Sequence, residues 1–448
     1  MTVDMVLYNA KVYTQGRIKD AGIAIEDDKI VRVAKEANLP SASNRIDLKK
    51  RLALPGLIDV HVHLRDQQQA YKETFSTGTA AAVAGGITTV LDMPNNKPVT
   101  MDSASLKERI RMAERNIFAN VGFYSAFPEN LDEIERVVKE GAFAFKLYLT
   151  TQIGGLDIDD DEALLSAFNK AGKLGVPVAI HAEDKNMIEE ISDAERKIGH
   201  NDSKAYLRAH SPEVEAKAIK RILKIAYKTN MQLHFCHISS KEAITQISNA
   251  RKKGLKASCE VTPHHLFLTS DDLKEQGTLM LTDPPVRNRD IVEELWNALK
   301  NNHIDIVATD HAPHLTTEKK ADSVWNVKPG IPGLETLLPL LLEKVNAGRL
   351  SIHNIVRLMA EKPTEIFHLH GFGLLEEGFK ANITVVDLHR RDKIDASKFY
   401  SKAKYSPFDG WQTRGMPVKT FVNGRLVMDE GEVIMEAKAA VILRGQAS

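Results

Sequence analysis

His61, His63, Lys146, His181, His237 and Asp310 each stand at or near the C-terminal end of a short apolar run. The runs are LPGLIDVHVHLRD, AFKLYL, VAIHAED, FCHIS and VATDHAPH. Neutral imidazoles and carboxylates are the usual protein ligands of divalent transition metals. In a parallel barrel all strand ends open on one face, so residues far apart in sequence meet in space. The chemistry such a set offers is a pair of cations sharing one water. That arrangement makes hydroxide available near neutral pH and clamps the carbonyl it attacks. It hydrolyses amides and, run backwards, closes them.

Each residue also has a blander reading. An HxH pair such as His61-Val62-His63 puts two imidazoles on one side of a strand, which packing alone can produce. Asp59 and Arg65 continue that alternation, and polar groups facing inward are costly unless something pairs with them. Lys146 ends AFAFKLYL, where an ammonium pointing into a barrel needs compensation. It is either a buried ion pair, a snorkelling side chain, or an amine that has lost its proton and taken up carbon dioxide as an anionic carbamate. Singly, His181 and His237 read as satisfied core histidines, and Asp310 as a helix cap. Together they complete a second cation's coordination, with Asp310 a ligand of one cation and a proton shuttle.

Positioning these groups is the task of the middle of the chain. Strand-like runs end near His63, Pro94, Phe127, Leu149, Glu183, Ser239, His264 and His314, with amphipathic stretches between most of them. In PEVEAKAIKRILKIAYKT the apolar positions Ala218, Ile222, Ile225 and Ala226 recur at helical spacing. Eight strands alternating with helices predict a (β/α)8 TIM barrel over residues 55–374. A doubly wound sheet is the alternative, but it does not bring eight strand ends around one point. Residues 1–54 and 375–448 are strand-rich at both ends of the chain. They predict a small composite β-sandwich built from both termini. Asn423-Gly424, between two alternating runs, predicts a two-residue hairpin.

Composition narrows the function. The 448 residues are 43% hydrophobic and 27% charged, as in soluble globular proteins. A formal net charge of zero recruits neither nucleic acid nor an anionic membrane. No apolar run reaches about 18 residues, so no membrane span is expected. No secretory leader is apparent. The two cysteines, Cys236 and Cys259, rule out a disulfide framework and fit a cytoplasmic protein.

The motifs GLIDVHVHLRD, GTAAAVAGGITTVLDMPNN, KLYL, HAED, HIS, VTPHHL, TDHAPH and PGIPGLET resemble the cyclic amidohydrolases, and within them the dihydroorotases, from about residue 5 to about residue 435. The resemblance implies zinc-dependent, reversible closure of N-carbamoyl-L-aspartate to L-dihydroorotate with loss of water, a step of pyrimidine biosynthesis. It implies two Zn2+ ions, one on His61, His63 and Asp310 and one on His181 and His237, bridged by carbamylated Lys146. Some members lack the lysine and use an aspartate just downstream, which makes Asp157 the fallback. Arg65, Asn95 and His314 are implied to hold the substrate carboxylate. From the residues themselves, the hydroxyls of Thr150 and Thr151 with Gly154 and Gly155 suit a mobile lid, an ordinary βα loop being the alternative. The partners implied are a small-molecule substrate, a second copy in a homodimer, and aspartate transcarbamoylase. An allantoinase, a hydantoinase and an inactive scaffold are the alternatives. Two departures stand out. Gln67-Gln68-Gln69 replaces the usual Pro-Gly and predicts a more flexible loop. Asp283 replaces a substrate-binding asparagine and would repel an anion unless protonated or turned toward Arg287.

Overall fold

The computed structural model describes residues 2–436 and 439–445. The N-terminal strands are β1 (Thr2–Thr14), β2 (Arg17–Glu26), β3 (Lys29–Ala34), β4 (Ser41–Asp47) and β5 (Leu52–Pro55). Eight strands follow: β6 (Leu57–Val62), β7 (Ile87–Asp92), β8 (Asn120–Ala126), β9 (Ala144–Tyr148), β10 (Val178–His181), β11 (Leu233–Phe235), β12 (Ala257–Val261) and β13 (Ile306–Val307). The chain ends with β14 (Ile383–Lys393), β15 (Gln412–Val422), β16 (Arg425–Asp429) and β17 (Glu432–Val433).

β6 to β13 form one parallel sheet in sequence order. The ring is joined where His63 N–H donates to His311 O at 2.8 Å and Val62 bridges His311. This is the (β/α)8 barrel expected from the alternating runs. Alternation along the strands sorts their side chains. In β9, Phe145 and Leu147 join the outer core beneath the helices, whereas Ala144 joins the inner one. Lys146 and Tyr148 share Ala144's parity and point inward. Phe127 stacks on Phe145 with ring centroids 4.7 Å apart. Burying each such ring stabilises the wall by roughly 1.5–3 kcal/mol, so β9 is a stiff platform for Lys146.

The terminal strands form a second, separate sheet in the order β17-β16-β15-β14-β5-β1-β2-β3, with β4 beside β1. Hydrogen bonding is continuous through it, and the sheet folds over itself. Leu7, Val12 and Ile25 of the N-terminal strands share a core with Ile383, Val385 and Phe421. The Asn423-Gly424 turn is a hairpin as expected, with φ of 49° and 77°, the left-handed pair that a two-residue turn requires. It sits so close to the facing turn that a Cβ on Gly424 would lie 2.4 Å from Asp27 O. Residues 439–445 leave this sheet: Ala439 N–H donates to Ile117 O and Ile442 N–H to Val121 O. Among the described residues no helix is long and apolar enough to cross a membrane.

Candidate active site

At the C-terminal mouth of the barrel a cavity of about 280 Å3 is lined by His61, His63, Arg65, Asn95, Thr150, Thr151, His181, His237, Asp283, Asp310 and His314. Lys146 lies beneath it, fully buried. Asp157 is exposed and lies elsewhere. Strand alternation explains only part of this convergence. β6 carries register irregularities between Leu57 and Ile58 and between Asp59 and Val62. Asp59 faces the β13 end, accepting from Thr309 Oγ1 at 2.6 Å and from His61 N–H at 3.0 Å. Burial pushes its carboxyl up to about 7.

Arg65 does not continue the strand as the HxHxR spacing suggested. Its backbone is left-handed, with φ of 54°, as are His237 at 34° and Asp310 at 48°. Non-glycine residues rarely adopt this region, and when they do they cluster at functional sites. The turn at Arg65 is held from behind. Arg109 donates to Arg65 O at 2.7 Å and to Asp92 Oδ2 at 3.0 and 2.7 Å, and Asp92 accepts from Leu64 N–H. Arg109 and Asp92 are each 1% exposed, so this pair is a buried clamp on the loop.

Hydrogen bonds decide which imidazole nitrogens remain bare. His63 Nδ1–H donates to Asn95 Oδ1 at 2.6 Å, leaving Nε2 with its lone pair. That atom sits 3.0 Å from Asp310 Oδ1. His61 Nδ1–H donates to Glu260, leaving its Nε2 3.3 Å from the same oxygen. Three acceptors thus converge on one point, an arrangement that repels itself unless a cation joins them. A second convergence lies alongside. His181 Nε2–H donates to Glu183 at 2.9 Å, and its bare Nδ1 faces His237 Nε2 at 3.1 Å. His237 Nδ1 is buried without a hydrogen-bond partner. Burial holds His63 down at about 4 and His237 well below its ordinary value, so both rings are neutral at pH 7. The donor set therefore fits divalent cations.

Lys146 Nζ donates to Cys236 Sγ at 2.8 Å and lies 4.9 Å over the Tyr148 ring. Among the described residues no carboxylate reaches it, so its charge is poorly compensated.

Glu260 and Glu183 were missed in the sequence. Each orients an imidazole from behind, as carboxylates commonly do around metal-binding histidines. Glu183 stood in HAED, two residues past His181, and that spacing was the available signal.

Two expectations are corrected. Asp283 is not neutralised by Arg287, which instead binds Ser239 Oγ at 2.8 Å and His210 O. Its partners are His210 Nδ1 at 3.0 Å and Tyr206 OH at 3.2 Å. Burial works against charge on His210, yet Asp283 and Glu183 push it up to about 10. The pair is thus an internal salt bridge, which softens Asp283's repulsion of an anion. The Gln67–Gln69 stretch is a 3-10 turn rather than a loose loop. Asp66 caps it by accepting from Gln67 N–H at 2.7 Å, and Asn96 donates to Gln67 Oε1 at 2.8 Å.

Thr150 and Thr151 line the cavity. The glycines after them are packed close: a Cβ on Gly155 would lie 2.2 Å from Glu129 N. They anchor the segment against Phe127–Glu129.

A barrel with ligand-type side chains converging at its mouth is the architecture of a metal-assisted hydrolase, and the chain belongs to the amidohydrolase family, whose model matches residues 52–427. It is therefore an enzyme of that family. The chain is 36% identical to the dihydroorotase of Methanothermobacter thermautotrophicus over 439 residues, covering 96% of this chain and 95% of the relative. It is 36% identical to that of Pyrococcus horikoshii over 444 residues, covering 99% and 96%. Among solved structures, the L-hydantoinase of Arthrobacter aurescens superposes with a TM-score of 0.93 at 32% identity, covering 97% of this chain and 98% of that one.

Proposed function

We propose that this enzyme is a zinc-dependent dihydroorotase. It interconverts N-carbamoyl-L-aspartate and L-dihydroorotate in pyrimidine biosynthesis. The observation that carries the reading is Arg65. The residue is 6% exposed, its Nε has no partner, and among the described residues no carboxylate forms an ion pair with it. A buried cation left unpaired beside a cavity is costly, and an anionic ligand resolves the cost. Dihydroorotate carries a carboxylate on its ring. A bidentate guanidinium–carboxylate pair supplies orientation as well as energy.

In this reading His61, His63 and Asp310 would hold one Zn2+ and His181 and His237 the other. Lys146, as a carbamate formed when its amine takes up carbon dioxide and releases a proton, would add an anionic ligand beneath them. Once bound, the ions supply Lewis acidity and a water acidic enough to ionise near neutral pH. The remaining work belongs to side chains. Arg65, Asn95 and His314 fix the ring by its carboxylate, and Thr150 and Thr151 close over it. Asp310, ionised and 9% exposed, takes the proton of the attacking water and hands it to the leaving ring nitrogen. In the reverse direction it removes a proton from the carbamoyl nitrogen, which attacks the side-chain carboxyl, and passes that proton to the departing carboxyl oxygen, which leaves as water with a second proton taken from solvent. Ring opening releases a net proton, so ring closure is favoured at lower pH.

The division at 54/55 and 374/375, drawn from the strand-rich termini, and a cytoplasmic location, drawn from the cysteine content, accompany this reading, as do a homodimer and association with aspartate transcarbamoylase. The structural likeness to the L-hydantoinase supports a second reading, hydrolysis of a hydantoin ring. The test is turnover by the zinc-loaded protein of dihydroorotate, hydantoin and allantoin side by side. Dihydroorotate is expected to react fastest. Activity confined to hydantoin would replace the first reading with the second.

A further inference from the structure

Lys72 is buried to the same degree as Arg65, 6% exposed, and stands behind His314. Its Nζ is 3.0 Å from His314 Nδ1 and 2.9 Å from Glu318 Oε1. An ammonium has three hydrogens and no lone pair, so it can only donate. His314 Nδ1 must then be the acceptor, which places the ring proton on Nε2. The competing acceptor for an Nδ1–H, Glu318 Oε2, is 3.6 Å away, beyond hydrogen-bond reach. Glu318 is itself engaged with Leu315 N–H at 2.9 Å.

The consequence appears on the other side of the ring. His314 Nε2 lies 3.4 Å from Arg65 Nη2. With the proton on Nε2, both groups are donors, and neither satisfies the other. Two donors side by side, facing the cavity, are satisfied together by a carboxylate. Burial, with Arg65 and Lys72 beside it, holds His314 far below its ordinary value, so the ring stays neutral. The ring's position is confined as well. Gly330 packs at its edge with φ of +128°, and a Cβ there would lie 2.7 Å from Ala312 O and 3.3 Å from His314 Cδ2.

We propose that Lys72 is a positioning residue that fixes the Nε2–H tautomer of His314, so that His314 and Arg65 present paired donors to the substrate's carboxylate. The proposal rests on the carboxylate-binding reading for its purpose, but the tautomer itself does not depend on which substrate is used.

The test is 15N NMR of the imidazoles in the zinc-loaded protein, with the His314 signals assigned by their loss in His314→Gln. The proposal expects a protonated Nε2 and a bare Nδ1. In Lys72→Met it expects that pattern to give way to a mixture or to Nδ1–H. In Glu318→Gln, which leaves Lys72 in place, it expects the parent pattern. Steady-state kinetics give a second readout. For Lys72→Met the loss falls mainly on KM for dihydroorotate, by about 10- to 100-fold, as for one hydrogen bond involving a charged group. Lys72→Arg, which keeps a cationic donor, is expected to recover part of it. A parent spectrum with the proton on Nδ1, or a Lys72→Met spectrum unchanged from the parent, overturns the proposal. A protein that shows the expected tautomers but does not turn over dihydroorotate leaves the tautomer assignment standing and defeats the substrate reading instead.

Discussion

The two walls of the cavity are incomplete in opposite senses. On the imidazole wall, His61 Nε2 and His63 Nε2 both present lone pairs to Asp310 Oδ1, at 3.3 and 3.0 Å. Acceptor meets acceptor, and only a cation reconciles them. On the cationic wall, Arg65 Nη2 and His314 Nε2 stand 3.4 Å apart as two donors, and only an anion reconciles them. The same device sets both: a partner behind each ring decides which nitrogen keeps its proton. Asn95, Glu260 and Glu183 do this on one wall and Lys72 on the other. The protein accordingly stores unfavourable contacts that its ligands relieve. Each wall can be tested for function and for stability, with opposite signs expected.

Asp310→Asn is the largest perturbation. Losing the proposed proton carrier is expected to lower kcat by about 10²–10⁴, or roughly 3–5 kcal/mol in the barrier. The sign on stability reverses. In chelated, metal-free protein an amide N–H facing His63 Nε2 replaces an acceptor clash with a hydrogen bond. The thermal midpoint of chelated Asp310→Asn is therefore expected to exceed that of the chelated parent. Calorimetry with and without chelator checks this, and a variant less stable than the parent in both states contradicts the account of that wall.

Arg109→Met tests the scaffold rather than a wall. It strands the fully buried Asp92 and releases the Arg65 carbonyl. Removing one partner of a buried pair costs about 3–5 kcal/mol, read by denaturant unfolding. Dihydroorotate affinity should fall with it, because the left-handed turn at Arg65 loses its clamp.

Arg65→Met tests the cationic wall directly. The expected cost is a factor of about 100 in kcat/KM for dihydroorotate, in line with one lost charge-assisted pair. Ligand-free protein is expected to gain stability, by about 1–3 °C in the midpoint, because an unpaired buried charge is gone. A midpoint that falls instead indicates that Arg65 has a structural partner.

These contrasts mark what the sequence could show. The barrel was legible, and so was the gathering of His61, His63, His181, His237 and Asp310 at its mouth above Lys146, because apolar runs ending in His, Lys or Asp carry their order on their face. The Asn423-Gly424 hairpin was legible because its turn chemistry is local. The tautomer-setting partners were not. Glu260 sits in a strand that reads like its neighbours, and Lys72 meets Glu318 only because two βα loops converge. The left-handed turns at Arg65, His237 and Asp310 were equally hidden, since none is glycine. Strict alternation predicted Arg65's direction for the wrong reason. Asp283's partner lay in a segment, Tyr206–His210, that carried no motif.

The smallest expected effect concerns Glu335, behind the cationic wall. Its carboxylate accepts from Tyr400 N–H at 2.8 Å and Ser401 N–H at 3.2 Å, and Ser401 in turn donates to Glu73, the residue after Lys72. Burial pushes the Glu335 carboxyl up to about 8, against those two bonds, with Glu73 adding repulsion. The folded state thus keeps a proton that the unfolded chain releases near its ordinary value of 4.5. The stabilisation is fully present below pH 4.5 and is lost as pH rises toward 8. Glu335→Gln keeps an acceptor without the titration. Its midpoint should match the parent's near pH 5 and exceed it near pH 8 by about 1–2 °C. Parallel pH profiles for the two proteins would place the Glu335 charge elsewhere in the balance.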